Sequence, residues 1–235
     1  MGWKTWSKPL SAKAGSLRRL TFMRPVPIAI SGLGRIGRLA FRAAHELYAD
    51  ELTVVAVDDR NDMAQLLPLL RRDSVYGAFP GSLALGNSGG LLLEGREVPL
   101  RRGLPFPNWR DAEVILDCAG GGPNGTRSRQ HLEPGVKAVI ISAPAPNVDA
   151  IIIPGVNTSA WRPEHKVISL ASCTTNCLAT VLKALEDLPL DWVFLDSLNA
   201  YTNSQRLVDA PHGDPRSARA AAVNIIPTES STSAG

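Results

Sequence analysis

Two short segments of this chain carry residue types at spacings that can do chemistry. The first is Gly32-Leu33-Gly34-Arg35-Ile36-Gly37. Between a strand and a helix, Gly32 permits a tight turn, Gly34 lets the backbone approach a pyrophosphate, and Gly37 lets helix and strand pack closely. The amides that open the helix then face an anion, and Arg35 adds a charge beside it. Asp58 and Asp59 follow at the distance where such folds bind a ribose 2′-hydroxyl. Asp59 is the expected discriminator. Its carboxylate accepts from the hydroxyl and repels a 2′-phosphate, so NAD is favoured over NADP, although Arg60 could pair with that phosphate. The second segment is Ser172-Cys173-Thr174-Thr175-Asn176-Cys177. Cys173 falls where a buried strand meets a helix, and the positive end of a helix favours thiolate over thiol. Cys177 falls one turn later on an apolar stripe and reads as a buried small hydrophobe.

The elements that must position these residues follow from periodicity. Residues 26–31 and 52–57 are apolar, β-branched runs that predict buried strands. Between them, Leu39, Ala40, Ala43, Ala44 and Leu47 recur at helical spacing over 38–48, with the helix starting at Gly34–Arg35. Strand, glycine turn, helix, strand and acid make a βαβ unit of the dinucleotide-binding kind. Residues 63–70 read as helix. Short strands over 83–85, 91–94 and 98–101 predict an antiparallel insertion beside a parallel sheet. Residues 114–118 predict a strand running into a second glycine-rich turn, 119–125. A helix over 127–132 and strands over 136–142, 150–154 and 167–170 follow. After Cys173 a helix carries Leu178, Val181, Leu182 and Leu185 on one stripe, and 191–201 predict one more strand.

Composition bounds the rest. The 235 residues are 44% hydrophobic and 20% charged, which excludes disorder throughout. No run is long and apolar enough to span a membrane. Three cysteines are too few, and odd in number, for a disulfide scaffold, which points to a reducing, cytoplasmic setting. The four histidines are too scattered for a structural metal site. Five basic residues and no acid fall in residues 1–22, so the body is nearly neutral and neither nucleic acid nor a membrane is an expected partner. Residues 1–23 read as a disordered tail, a segment upstream of a true start at Met23, or a targeting peptide.

Taken together, the segments SGLGRIGR (31–38), VVAVDD (54–59), RDSVYG (72–77), KAVIISAPAPN (137–147), ASCTTNCLA (171–179), AYTNSQ (200–205) and ARAAAVNIIPT (218–228) resemble the glyceraldehyde-3-phosphate dehydrogenase family. The resemblance implies an α/β fold: a Rossmann-type NAD-binding domain over 24–172, then a catalytic α+β domain over 173–235, left incomplete at its C-terminal side. It implies oxidative phosphorylation of an aldehyde phosphate, with inorganic phosphate as second substrate, and a homotetramer. By resemblance Cys173 is the nucleophile, forming a thiohemiacetal and then a thioester. Gly32, Arg35, Ile36 and Asp59 would hold the dinucleotide, with Ser142 and Ala143 along the path to the nicotinamide. Ser172, Thr174 and Thr202 would meet phosphate groups.

The sequence departs from the family pattern at several positions. Asn199 stands where the family has the histidine that takes the thiol proton, and an amide has no useful basicity. Gly120-Gly121-Gly122 replaces a hydroxyl and an aromatic wall near the adenosine. Ser204 stands where many members carry an acid. The family also continues for roughly a hundred residues beyond the counterpart of Gly235, enough to complete a packed layer. Three readings follow: an active dehydrogenase, a catalytically weak or silent NAD-binding remnant, and a redox-responsive protein built on Cys173.

Overall fold

The computed structural model describes residues 24–102 and 108–228. The basic tail therefore lies outside the described residues, as does the end of the chain from 229. The strands in chain order are β1 (Val26–Ser31), β2 (Leu52–Asp58), β3 (Arg72–Asp73), β4 (Gly77–Ala78), β5 (Leu83–Leu85), β6 (Leu91–Leu93), β7 (Arg96–Val98), β8 (Leu100–Arg101), β9 (Val114–Asp117), β10 (Ala138–Ile141), β11 (Ala150–Ile151) and β12 (Val167–Ser169). The helices are α1 (Arg35–Glu46), α2 (Met63–Arg71), α3 (Gly125–Ser128) and α4 (Cys173–Ala184). Among the described residues no helix is long and apolar enough to cross a membrane. The chain divides into two compact units, one from the described residues of 1–152 with 159–170, the other from 153–158 with the described residues of 171–235.

The first unit is built on a seven-stranded sheet in the order β11-β12-β10-β9-β1-β2-β8, parallel at every pairing. Read from β8 to β12, this is the Rossmann order 3-2-1-4-5-6, whose reversal point lies between β1 and β9. Strand alternation sends Ile28 and Ile30 to one face, with Phe41, Val57, Met63, Leu91 and Val98. Ala29 goes to the other face, with Trp109, Ile115, Val139, Ile141 and Val167. Both faces are covered, as a parallel sheet requires.

Several expectations change. The buried stripe of α1 is Gly37, Phe41 and Ala44. The expected Leu39, Ala40, Ala43 and Leu47 are only partly buried, because the large ring of Phe41 sets which face turns inward. The expected strand over 98–101 is two strands. β7 closes an antiparallel ribbon with β5 and β6, whereas β8 joins β2 in the parallel sheet. Pro99 sits at the break, with no N–H to donate, and its carbonyl accepts from Val57 N at 3.0 Å. The strand over 150–154 shortens to β11, since Ile153 N donates to the Asn157 side chain at 2.7 Å. The helix over 127–132 is α3 followed by a 3-10 turn at Arg129–His131.

The second unit differs most from expectation. Residues 191–201 are not a strand: they pair with no other segment among the described residues, and an unpaired strand has no ladder to hold it. Trp192, Phe194 and Leu198 are 80–85% exposed. No residue of α4 is buried, so Cys177 is exposed rather than packed on an apolar stripe. Arg216 and Asp214 pair at 2.9 Å around a 3-10 turn at Pro215–Ala218, and a single bridge joins Arg206 to Ala220.

A buried pair far apart in sequence closes one face of the first unit. Trp109 Nε1 donates to His131 Nδ1 at 2.8 Å, and both residues are almost fully buried. Burial pushes the His131 pKa below its usual 6.5, against the opposing pull of Asp117, whose carboxylate lies 4.0 Å from Nε2. The folded state thus keeps the ring neutral while the unfolded chain takes up a proton below about pH 6.5. Stability contributed here is present above that pH and is lost as pH falls, by up to ~1.4 kcal/mol per pH unit. Thermal melts from pH 7.5 to 5 should fall more steeply for the wild type than for His131→Gln. Equal slopes would remove His131 as the cause.

Candidate dinucleotide site and cysteine centre

The glycine turn sits at the C-terminal end of β1, beside the reversal point of the sheet, where open α/β sheets bind ligands. Gly32 has φ +88°, and its N–H donates to Asp58 O at 2.7 Å. A Cβ there would stand 2.5 Å from Ala119 Cα, so the two glycine-rich turns touch through the missing side chain. A Cβ on Gly37 would fall 1.9 Å from Gly32 O, which explains the third glycine as a close-packing position. Gly34 differs from both. It caps α1 with no side-chain hydrogen bond, and a Cβ there would meet nothing within 4 Å. The first amides of α1 have no partner inside the helix, so this turn offers bare N–H groups toward open space. That arrangement fits a pyrophosphate. Arg35 and Ile36 are exposed on the same first turn.

Asp59 is part of the turn's framework. Its Oδ2 accepts from Leu33 N at 2.7 Å, and its Oδ1 accepts from the backbone and side chain of Asn61 at 2.9 and 2.8 Å. The carboxylate at the end of β2 is thereby aimed at the mouth of the turn. Asp58 faces inward. Ser31 Oγ donates to it at 3.2 Å, and its pKa is raised by burial first and also by the charges of Asp59 and Asp117. Gly120, Gly121 and Gly122 all have positive φ, and a Cβ at any of them would meet nothing within 4 Å. Ser142 and Ala143 lie at the end of β10. Ser142 N donates to Asp117 O at 3.0 Å, and Ala143 O accepts from Ser169 Oγ at 2.7 Å.

In the second unit Cys173 opens a helix, as its position after a strand predicts, whereas Cys177 is exposed. Ala171 has φ +60° and turns the chain into α4. Ser172 is the N-cap, accepting from Thr175 N at 2.9 Å, so its hydroxyl is committed to the helix. Cys173 is the first helical residue and is exposed, with Sγ 4.0 Å from Thr174 Oγ1. Asn199 is also exposed, and its side-chain amide donates to Ser197 Oγ at 3.0 Å. No hydrogen bond joins Asn199 to Cys173 among the described residues. Thr202 Oγ1 lies 2.7 Å from Ser204 Oγ. Cys118, at the end of β9, is a different thiol, partly buried against the core and with its pKa raised by desolvation. The sequence reading missed the Trp109–His131 pair and the part played by Asp117. Only the indole at 109 could have hinted at the former, since a buried Trp N–H needs an acceptor.

Strand order, glycine turn and terminal acid define a Rossmann-type dinucleotide-binding protein. Comparison with known proteins narrows the class. Residues 26–123 match the family model "Glyceraldehyde 3-phosphate dehydrogenase, NAD binding domain", and residues 172–235 match "Glyceraldehyde 3-phosphate dehydrogenase, C-terminal domain". Glyceraldehyde-3-phosphate dehydrogenase of Thermotoga maritima is 41% identical over 207 residues, covering 86% of this chain and 62% of the relative. The Geobacillus stearothermophilus enzyme is 42% identical over 209 residues, with the same two shares. The chain belongs to the glyceraldehyde-3-phosphate dehydrogenase family, and it spans about 62% of the length of these curated relatives.

Proposed function

We propose that this protein binds NAD through the Gly32–Gly37 turn and Asp59, and that Cys173 adds to the carbonyl of an aldehyde phosphate in the cytoplasm, with catalysis held low by Asn199. The observation that carries this reading is the open backbone at Gly34, framed by two glycines that packing requires, with the Asp59 carboxylate at its mouth. NAD, when bound, supplies the hydride acceptor. The chain's own residues do the rest. Gly32, Gly34, Arg35, Ile36 and Gly37 hold the pyrophosphate side, and Ser142 and Ala143 line the way toward the nicotinamide. Cys173 Sγ bonds to the aldehyde carbon to give a thiohemiacetal. With NAD bound, the adduct would give its hydride to that acceptor and its hydroxyl proton to water, leaving a thioester. Inorganic phosphate, met by Thr174, then attacks the thioester carbon, and the C–S bond breaks to return the thiolate and release an acyl phosphate. Thr202 meets the phosphate of the aldehyde substrate, while the Ser172 hydroxyl serves the helix cap.

Calorimetry with NAD and NADP tests the cofactor half. The wild type should bind NAD at least tenfold more tightly. Asp59→Ala should lose about tenfold for NAD, because it removes both the ribose acceptor and the tie to Leu33 N. It should also narrow the gap to NADP. Equal affinities for the two cofactors in the wild type would mean that Arg60 outweighs Asp59.

A second reading, a redox-responsive thiol, is favoured by one observation: Cys173 is exposed on the first turn of a helix whereas Cys118 is partly buried and its pKa is raised. Mass spectrometry after mild peroxide decides it. Cys173 oxidised no faster than Cys118 removes this reading.

A further inference from the structure

We infer that Asp117 is a positioning residue for the dinucleotide, acting by pinning the second glycine turn against the first. This rests on the NAD-binding reading above. Asp117 ends β9, next to β1 at the reversal point of the sheet. Its side chain is only 13% exposed, and its two oxygens have different tasks. Oδ1 accepts from Ala119 N at 3.2 Å, and Oδ2 accepts from Ser128 Oγ on α3 at 2.6 Å. Ala119 is the residue whose Cα and N stand where a Gly32 side chain would be. Its position therefore sets how far the phosphate turn can close.

The glycines that follow cannot share this task. Gly120, Gly121 and Gly122 are all left-handed, and none has a neighbouring atom within 4 Å of where its Cβ would lie. Such a run loses more conformational freedom on ordering than any other residues would. Hydrogen bonds hold the segment at both of its ends. At the far end Asn124 accepts from Thr126 N at 2.8 Å and caps α3. At the near end the hold is Asp117 on Ala119, with Cys118 N donating to Ser31 O at 2.7 Å beneath it. The Gly120–Gly122 run also removes the side chains that would otherwise wall the adenosine, which leaves the placement of its backbone as this chain's means of shaping that side of the site.

The experiment is calorimetric NAD affinity, thermal stability and hydrogen exchange at the Ala119 amide, on the full chain and three variants. Asp117→Ala should weaken NAD binding about tenfold and expose the Ala119 amide to faster exchange. Asp117→Asn keeps an acceptor for Ala119 without its charge, and should lose about threefold. Ser128→Ala removes the Ser128 hydrogen bond to Oδ2 and leaves the Ala119 contact at Oδ1 and His131 beside Oδ2. It should lower the melting temperature yet leave NAD affinity within twofold. Affinity that tracks melting temperature across all three variants would make Asp117 merely structural and overturn the inference. So would wild-type affinity in Asp117→Ala. If Asp117→Ala does not fold, Asp117→Asn decides: faster Ala119 exchange with unchanged NAD affinity overturns the inference. Absence of NAD binding by the wild type would instead overturn the NAD-binding reading, and this inference with it.

Discussion

A single methyl group at position 37 should remove dinucleotide binding from this chain. Gly37→Ala places a Cβ 1.9 Å from Gly32 O, far inside contact distance; the Cβ is fixed by its own backbone and the carbonyl oxygen is backbone, so neither can swing aside. Either α1 lifts from β1 or the glycine turn opens. Overpacking of this kind costs ~1–3 kcal/mol, which for a chain of this size lowers the melting temperature by roughly 2–12 °C. Because the displaced atoms are the phosphate turn itself, NAD affinity should fall about a hundredfold or more. The neighbouring Gly34→Ala separates binding from folding. Gly34 has an ordinary φ of −68°, and its Cβ would meet nothing within 4 Å. Its melting temperature should fall by only about 1–4 °C, since Ala is a poorer N-cap than Gly by roughly 0.5–1 kcal/mol and no clash is added. Its NAD affinity should nevertheless fall, because the methyl occupies the face that the phosphate approaches. Calorimetry and melting curves on both variants check this. A Gly34→Ala protein that binds NAD like the wild type would place the phosphate elsewhere.

What could be read from the sequence divides along a physical line. The βαβ unit was legible because each of its parts is specified locally: β-branched runs, glycines at fixed offsets, an acid at the end of the second strand. Cys173 at a helix start was legible for the same reason, since Ser172 caps the helix that it opens. What was not legible depended on partners distant in the chain. Phe41 set the inward face of α1 through Phe79, whose ring lies 5.9 Å away, and helical spacing alone favoured a different stripe. Val98–Arg101 looked like one strand because alternation does not show that Pro99 divides it between an antiparallel ribbon and a parallel sheet. Trp109 and His131 are 22 residues apart and share no periodicity. Residues 191–201 have the composition of a strand, but a strand exists only when another backbone takes its hydrogen bonds. Cys177 was assigned to a buried stripe by the same local logic, and α4 buries no stripe.

The cysteine centre should be reactive and yet turn over poorly. Cys173 and Cys177 are exposed, whereas burial raises the Cys118 pKa, so iodoacetamide should label Cys118 slowest. Turnover is another matter. The reaction needs a group that takes the thiol proton and then serves the oxyanion through hydride loss, and Asn199 has no basicity to offer. Loss of such a group typically costs 10²–10⁴-fold, so NADH formation from glyceraldehyde 3-phosphate by the 235-residue protein should lie that far below its family relatives. An amide can still donate a hydrogen bond to an oxyanion, which leaves slow acylation open to Cys173. Asn199→His should restore less than tenfold. A base must be held in line with the thiol to contribute, and residues 186–200 have no regular structure and expose their side chains. Steady-state assays of the wild type, Asn199→His and Cys173→Ser test the argument together. Rapid NADH formation by the wild type that disappears in Cys173→Ser would overturn it and require another base. His212 is then the residue to replace, because it is the one histidine of the second unit and its Nδ1 accepts from Asp214 N at 3.0 Å.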